Sequence, residues 1–210
     1  MKPLFDPTLA LAHLTAADPR LAVVIARAPR CDLAPKRLDS LFHRLLRAIV
    51  YQQLNGKAAG TILGRVEALF PAGVIEPAAL LATPDDQLRA AGLSRNKLAS
   101  LRDLAAKTLA GVVPSPAAAR KLSDGELIAR LTAVRGIGPW TVHMLLMFDL
   151  GRPDVLPTGD YGVRMGFKKL YRKRREPSPE QIARHARCWQ PYRSVAAWYL
   201  WRVHEIELPD

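Results

Sequence analysis

Val134-Arg135-Gly136-Ile137-Gly138-Pro139-Trp140 reads as a tight turn between two helical stretches. Upstream, Leu127, Ile128 and Leu131 recur at helical spacing behind a Ser123-x-x-Glu126 capping box. Downstream, Pro139 suits a first helical position, where the missing amide would have no intrahelical partner. Gly136 and Gly138 tolerate positive φ and let a backbone approach another molecule closely. The amides that open the second helix add a partial positive charge. The element is therefore built to hold a phosphate, a contact that positions a duplex without reading its bases. Taken alone, a Gly-x-Gly turn also fits an ordinary corner between helices.

Charge and one downstream carboxylate tip the balance. The 210-residue chain carries 31 Lys and Arg against 19 Asp and Glu, a net charge of +12. Such an excess favours a polyanion, with nucleic acid the usual one, over a chain that is merely basic. Asp160 stands in Leu156-Pro157-Thr158-Gly159-Asp160, just ahead of another helical stretch. It can cap that helix, and the cap would fix its carboxylate in space.

The remaining periodicity is helical almost throughout, so the expected class is all-α, with two lobes sharing a cleft. Ala59, Ile62, Leu63, Val66, Leu69 and Phe70 fall on one helical face. Thr83-Pro84-Asp85-Asp86 reads as a cap with proline at the first helical position. Gly92 stops that helix and Ser94 starts another reaching to about Ala110. Residues 112–119, with two prolines, read as a linker, and the basic run 168–175 as a fraying helix end. Ser178-Pro179-Glu180-Gln181 repeats the capping-box form, and an aromatic-rich helix spans 194–205. Residues 45–155 form one lobe with the hairpin; 1–44 and 156–210 form the other.

Several chemistries are excluded. Cys31 and Cys188 alone supply neither an iron–sulfur cluster nor a thiolate zinc site, and both read as buried thiols in a reducing compartment. His13, His43, His143, His185 and His204 show no metal-ligand spacing. No segment has the length of a membrane span or a secretory leader. The expectation is a cytoplasmic monomer, nucleoid-associated if bacterial.

Three ordered blocks carry a resemblance. Residues 131–141 with 156–161, Ile49-Val50-Tyr51-Gln52-Gln53-Leu54-Asn55-Gly56-Lys57, and Pro191-Tyr192-Arg193-Ser194-Val195-Ala196-Ala197-Trp198-Tyr199-Leu200-Trp201 are similar to the helix-hairpin-helix (HhH-GPD) DNA glycosylase superfamily. Within it the chain resembles the DNA-3-methyladenine glycosylase II (AlkA/MAG-like) group, in its shorter, all-helical branch. The resemblance implies double-stranded DNA with alkylated bases as substrate, no catalytic cofactor, and Asp160 as the catalytic carboxylate. The chemistry agrees, because a fixed anion beside C1′ stabilises the oxocarbenium-like sugar formed when an N-glycosidic bond breaks.

The same resemblance assigns further roles. Gly136, Ile137, Gly138 and Thr141 form the DNA-binding hairpin, and carbonyls of Thr132, Val134 and Ile137 are candidates to hold a structural Na⁺ or K⁺. Lyase-competent relatives carry a lysine where Trp140 stands, so base release without strand cleavage is expected. Trp140, Trp201, Met144 and Tyr161 are expected to line a pocket for a flipped cationic base, with cation–π attraction of about 0.5–2 kcal/mol per ring. Trp198 reads as core. Asn55 is the expected plug in the vacated stack, and Leu93 the wedge on the opposite strand. Arg95, Lys97 and Lys57 read as phosphate contacts, Asp149 and Asp154 as surface residues. The competing readings are a non-catalytic helix-hairpin-helix module, a basic RNA-binding protein, and a related glycosylase for oxidised or mismatched bases.

Overall fold

The computed structural model describes residues 3–208, which are helical with no strand among them. In chain order the helices are α1 (Pro7–Ala17), α2 (Pro19–Arg27), α3 (Leu41–Tyr51), α4 (Gly56–Glu67), α5 (Pro77–Ala82), α6 (Asp85–Ala90), α7 (Arg95–Leu109), α8 (Pro116–Lys121), α9 (Asp124–Thr132), α10 (Pro139–Phe148), α11 (Tyr161–Leu170), α12 (Pro179–His185) and α13 (Arg193–Arg202). None is long and apolar enough to cross a membrane.

The chain divides into two compact units, Leu38–Val142 and the two flanking segments, up to Arg37 and from His143 onward. The sequence placed these boundaries at 44/45 and 155/156. The first of those points would cut α3 in two, although Leu41, Phe42, Leu45, Leu46, Ile49 and Val50 bury one continuous face. The second would detach residues 143–155 from partners that hold them. The Lys36 amide donates to the Asp149 carbonyl at 3.0 Å, and the Ser194 amide to that of Pro153 at 2.9 Å.

In the continuous unit, Leu63, Val66, Leu80, Leu88, Leu101, Leu104, Leu127 and Leu131 join the buried face of α3. Arg102 on α7 donates to the carbonyls of Leu80 and Thr83 and pairs with Asp85, tying α5, α6 and α7 together. Thr83 does not cap α6 as expected: its hydroxyl donates back to the Ala79 carbonyl at 2.9 Å, and Pro84 takes the N-cap position without a side-chain bond. Residues 112–119 are not all linker, since Ser115 caps α8. Leu69 and Phe70 lie beyond the end of α4, and of the expected face Leu69 alone is exposed.

The discontinuous unit is organised by a buried carboxylate. Asp18 is 4% exposed and caps α2 through Oδ1, which accepts the Arg20 and Leu21 amides at 3.1 Å. Its Oδ2 accepts from the Tyr171 hydroxyl, from Trp189 Nε1 at 2.8 Å and from His185 Nε2 at 2.9 Å. Burial pushes this carboxyl up, but His185, Tyr171, the Leu21 amide and Trp189 together hold it well below the usual carboxylate range. Asp18, His185 and Cys188 also form a group with ligand atoms within 4.8 Å of one another, which sequence spacing did not reveal. With the Asp18 oxygens so engaged, the group reads as a hydrogen-bond hub. Cys188 is exposed and Cys31 half-buried, both as free thiols, so the expectation of two buried thiols fails.

The basic run 168–175 does not fray. Arg172 adopts φ 51°, its amide donates to the Lys169 carbonyl at 3.2 Å, and the Lys173 amide donates to that of Lys168 at 2.9 Å. This is a Schellman end to α11 with arginine in the position glycine usually takes.

Candidate active site and nucleic-acid interface

The hairpin lies in the continuous unit, between α9 and the start of α10. The Ile137 amide donates to the Val134 carbonyl at 3.0 Å, which closes the turn. Gly136 has φ +79°, and a Cβ there would lie 2.8 Å from Ser100 Oγ, so both conformation and space demand glycine. Gly138 differs: a Cβ there would meet nothing within 4 Å. Packing within the fold therefore does not demand glycine at this position. The amides of Gly136 and Gly138 meet no acceptor among the described residues. Val134 and Ile137 are buried, Thr132 and Thr141 half-buried.

Two supports of the hairpin were invisible in the sequence. Asp103 on α7 accepts the Arg135 amide and the Lys107 ammonium, each at 2.7 Å. Burial raises this carboxyl, but those two donors bring it below its ordinary value. Gln52 donates its amide to the Gly136 carbonyl at 2.7 Å, which joins the expected plug segment to the hairpin.

In that segment Asn55 is exposed and caps α4, its Oδ1 accepting the Ala58 amide at 2.8 Å. Leu54 beside it is 38% exposed, an apolar side chain the sequence reading passed over. Gln53 takes φ 57°, a turn that sets this tip outward. Leu93 does not fit its expected role. It is 3% exposed at the turn between α6 and α7, so it has no surface with which to wedge a strand. Lys97 is also otherwise engaged: its ammonium donates to the Val50 carbonyl at 2.6 Å, and burial lowers its proton affinity. Arg95 and Lys57 remain exposed.

The carboxylate lies in the discontinuous unit. Asp160 is half-buried and caps α11, and Oδ1 accepts the Val163 amide at 2.8 Å and the Trp201 indole N–H at 2.7 Å. Trp201 in turn stacks on Phe148, with centroids 5.7 Å apart. Two glycines permit this arrangement. A Cβ on Gly162 would lie 2.6 Å from Trp201 Cδ1 and 3.2 Å from Asp160 Oδ1, and one on Gly166 would lie 2.0 Å from the Leu200 carbonyl oxygen. α11 and α13 thus meet backbone to backbone, and the indole reaches the carboxylate across that seam.

The other expected pocket residues are distributed as follows. Trp140 is 52% and Tyr161 69% exposed, both large rings left in solvent at helix starts. Met144 is half-buried one turn beyond Trp140 on α10. Trp198 is buried under the Arg202 guanidinium, 3.8 Å from its ring centroid, as the core reading expects. Neither Asp149 nor Asp154 is a plain surface residue. Asp149 is buried, and Asp154 holds Arg193 through two 2.8 Å bonds to the guanidinium and one 3.1 Å bond to its amide.

Comparison with known proteins places the chain in a family. The model of the HhH-GPD superfamily of base excision DNA repair proteins matches residues 46–191. A curated relative, DNA-3-methyladenine glycosylase 1 of Schizosaccharomyces pombe, is 38% identical over 79% of this chain and 73% of its own length. The solved structure of the 3-methyladenine DNA glycosylase Mag1 from the same yeast, in complex with abasic DNA, superposes with a TM-score of 0.75 at 34% identity, covering 94% of this chain and 97% of that one. A DNA-3-methyladenine glycosidase structure from Bacillus halodurans gives a TM-score of 0.83 at 35% identity, over 96% and 90% of the respective chains. The chain belongs to the HhH-GPD superfamily of base excision DNA repair proteins.

Proposed function

We propose that this protein is a monofunctional DNA glycosylase that hydrolyses the N-glycosidic bond of alkylated bases in duplex DNA, 3-methyladenine and 7-methylguanine among them. The observation that carries the reading is the Asp160 carboxylate, held at a helix start by the Val163 amide and the Trp201 indole on one oxygen. An alkylated purine is already cationic, so its bond to C1′ breaks without a strong general acid. The bonding electron pair leaves with the base, and positive charge develops on the sugar. Asp160 stabilises that charge, water adds to C1′, and a proton is released. The names of the relatives support the substrate class.

The remaining residues have supporting parts. The unengaged amides of Gly136 and Gly138 take a DNA phosphate. Carbonyls of Thr132, Val134 and Ile137 would hold a monovalent cation that reinforces this grip. Trp140, at 52% exposure, offers an electron-rich face to a cationic base and has no amine with which to form a Schiff base. Asn55 fills the vacated stack, with Leu54 as its apolar neighbour. The protein works as a monomer.

The test is release of free base from methylated duplex DNA, followed by chromatography, for wild type and Asp160→Asn. Asparagine can still cap α11, so the variant should fold and bind while losing about 10²–10³-fold in rate. Retained turnover in the variant would overturn the reading in favour of a different reacting group. Borohydride treatment should trap no covalent adduct.

A further inference from the structure

Half of the net charge of +12 lies in residues 168–187, which hold eight Lys and Arg against Glu176 and Glu180. No part of the proposed reaction uses them. The fold gathers the centre of this segment around a cavity of about 570 Å³ within the discontinuous unit, lined by Lys173, Arg174, Arg175 and Arg184 together with Phe167 and Gln181. Glu176 also borders it but is paired with the Arg164 guanidinium. The side chains of Lys173, Arg174, Arg175 and Arg184 make no ion pair or hydrogen bond among the described residues. The loop that carries the first three is bounded by the Schellman end of α11 and by the capping box of Ser178 and Gln181. Four uncompensated cations are thus concentrated in one concavity on a defined backbone.

We propose that this cavity is a second phosphate-backbone site for duplex DNA, which engages the flank of the duplex rather than the nucleotide being cut. The proposal rests on the reading of the protein as a DNA enzyme. A polyanion fits better than a lone phosphate, because four exposed cations gain most from a ligand whose binding releases several counterions at once. The position along α11 sets the register. Asp160 caps its start and the basic loop follows its tenth and last residue. At 1.5 Å per residue the two ends lie about 15 Å apart, or about four to five base pairs at 3.4 Å each. With the duplex axis running along α11, as the flank site requires, a duplex centred on Asp160 reaches the loop only when it extends at least that far.

The test uses the full chain and an abasic-analogue duplex, with affinity measured by fluorescence anisotropy over a range of salt concentrations. One duplex has about ten base pairs on each side of the analogue, the other about three, with its ends closed by uncharged polyethylene-glycol loops so that it stays paired. The Arg174→Ala/Arg175→Ala/Arg184→Ala variant should bind the long duplex about tenfold or more weakly at moderate salt, and its slope of log Kd against log salt should shrink by about two to three. On the short duplex it should match wild type, as should its rate of base release in a single turnover. The corresponding triple lysine variant should restore the slope, and single Arg174→Glu should lower it if the triple alanine variant folds poorly. Equal slopes for wild type and variant on the long duplex would overturn the flank site, as would an equal loss on both lengths. Stabilisation of wild type but not the variant by inorganic tripolyphosphate, with unchanged DNA slopes, would assign the cavity to a free anion instead and also overturn it. Binding here needs no turnover. A wild type that shows the length dependence yet releases no base would sink the glycosylase reading alone.

Discussion

Trp201 donates its indole N–H to Asp160 Oδ1 at 2.7 Å, the same oxygen that the Val163 amide meets at 2.8 Å. A ring expected only to line a base pocket therefore also aims the carboxylate. Trp201→Phe keeps the stack on Phe148 and removes the donor. A hydrogen bond to a charged group contributes about 1.5–3 kcal/mol, so single-turnover base release should fall about 10–100-fold. The melting temperature should change little, and Trp201→His, which retains a ring donor, should recover part of the loss. A change confined to substrate affinity, with the rate intact, would mean that the ring serves only as a wall.

The seam between α11 and α13 sets two glycines apart from a third. Gly166→Ala would put a methyl group 2.0 Å from the Leu200 carbonyl oxygen, a backbone atom that cannot step aside. Overpacking of this type costs about 1–3 kcal/mol, and the upper end is expected here. Gly162→Ala presses on Trp201 at 2.6 Å and should reduce the rate more than the stability, since the indole is what must move. Gly64, inside α4 with nothing within 4 Å of an added Cβ, is the control. Alanine there should stabilise by up to about 1 kcal/mol. Urea denaturation of the three variants separates the cases.

What could be read from the sequence is local. The capping boxes at Ser123 and Ser178, the turn at Gly136 and the cap at Asp160 depend on residues a few positions apart, and all are found. What escaped depends on distant partners. Asp18 gains its role from Tyr171, His185 and Trp189, and Arg135 is held by Asp103 from another helix. Leu93 and Lys97 sit in a polar stretch that suggests surface, yet one is buried and the other reaches the Val50 carbonyl. Gly162 has no turn to explain it; only the packed indole shows why a side chain is excluded.

The two hairpin glycines should behave differently. Gly136→Ala imposes positive φ on a residue with a Cβ and drives that Cβ towards Ser100, so it should destabilise the fold by about 1–3 kcal/mol. Gly138→Ala meets no intramolecular obstacle. It should leave the melting temperature unchanged while weakening DNA binding several-fold if the hairpin takes a phosphate as proposed, because the added methyl group would then stand in its path. Thermal melts paired with anisotropy titrations read both quantities. Full affinity in Gly138→Ala would show that the strand does not approach that amide.

Acid should weaken the fold through Asp18. Its folded-state carboxyl is held below the ordinary value, so the group contributes stability that is complete above its unfolded pKa of about 3.9 and is lost as pH falls below that point. Asp18→Asn removes the charge that Tyr171, His185 and Trp189 face, and at pH 7 it should cost about 3 kcal/mol. In wild type the same contribution disappears on acidification, because protonation makes the carboxyl neutral like the amide. The stability difference between the two proteins should therefore narrow as pH falls below about 4. Urea midpoints at a series of pH values measure it directly. A difference that stays constant into strong acid would mean that the loss in Asp18→Asn comes from misfitted packing rather than from the charge.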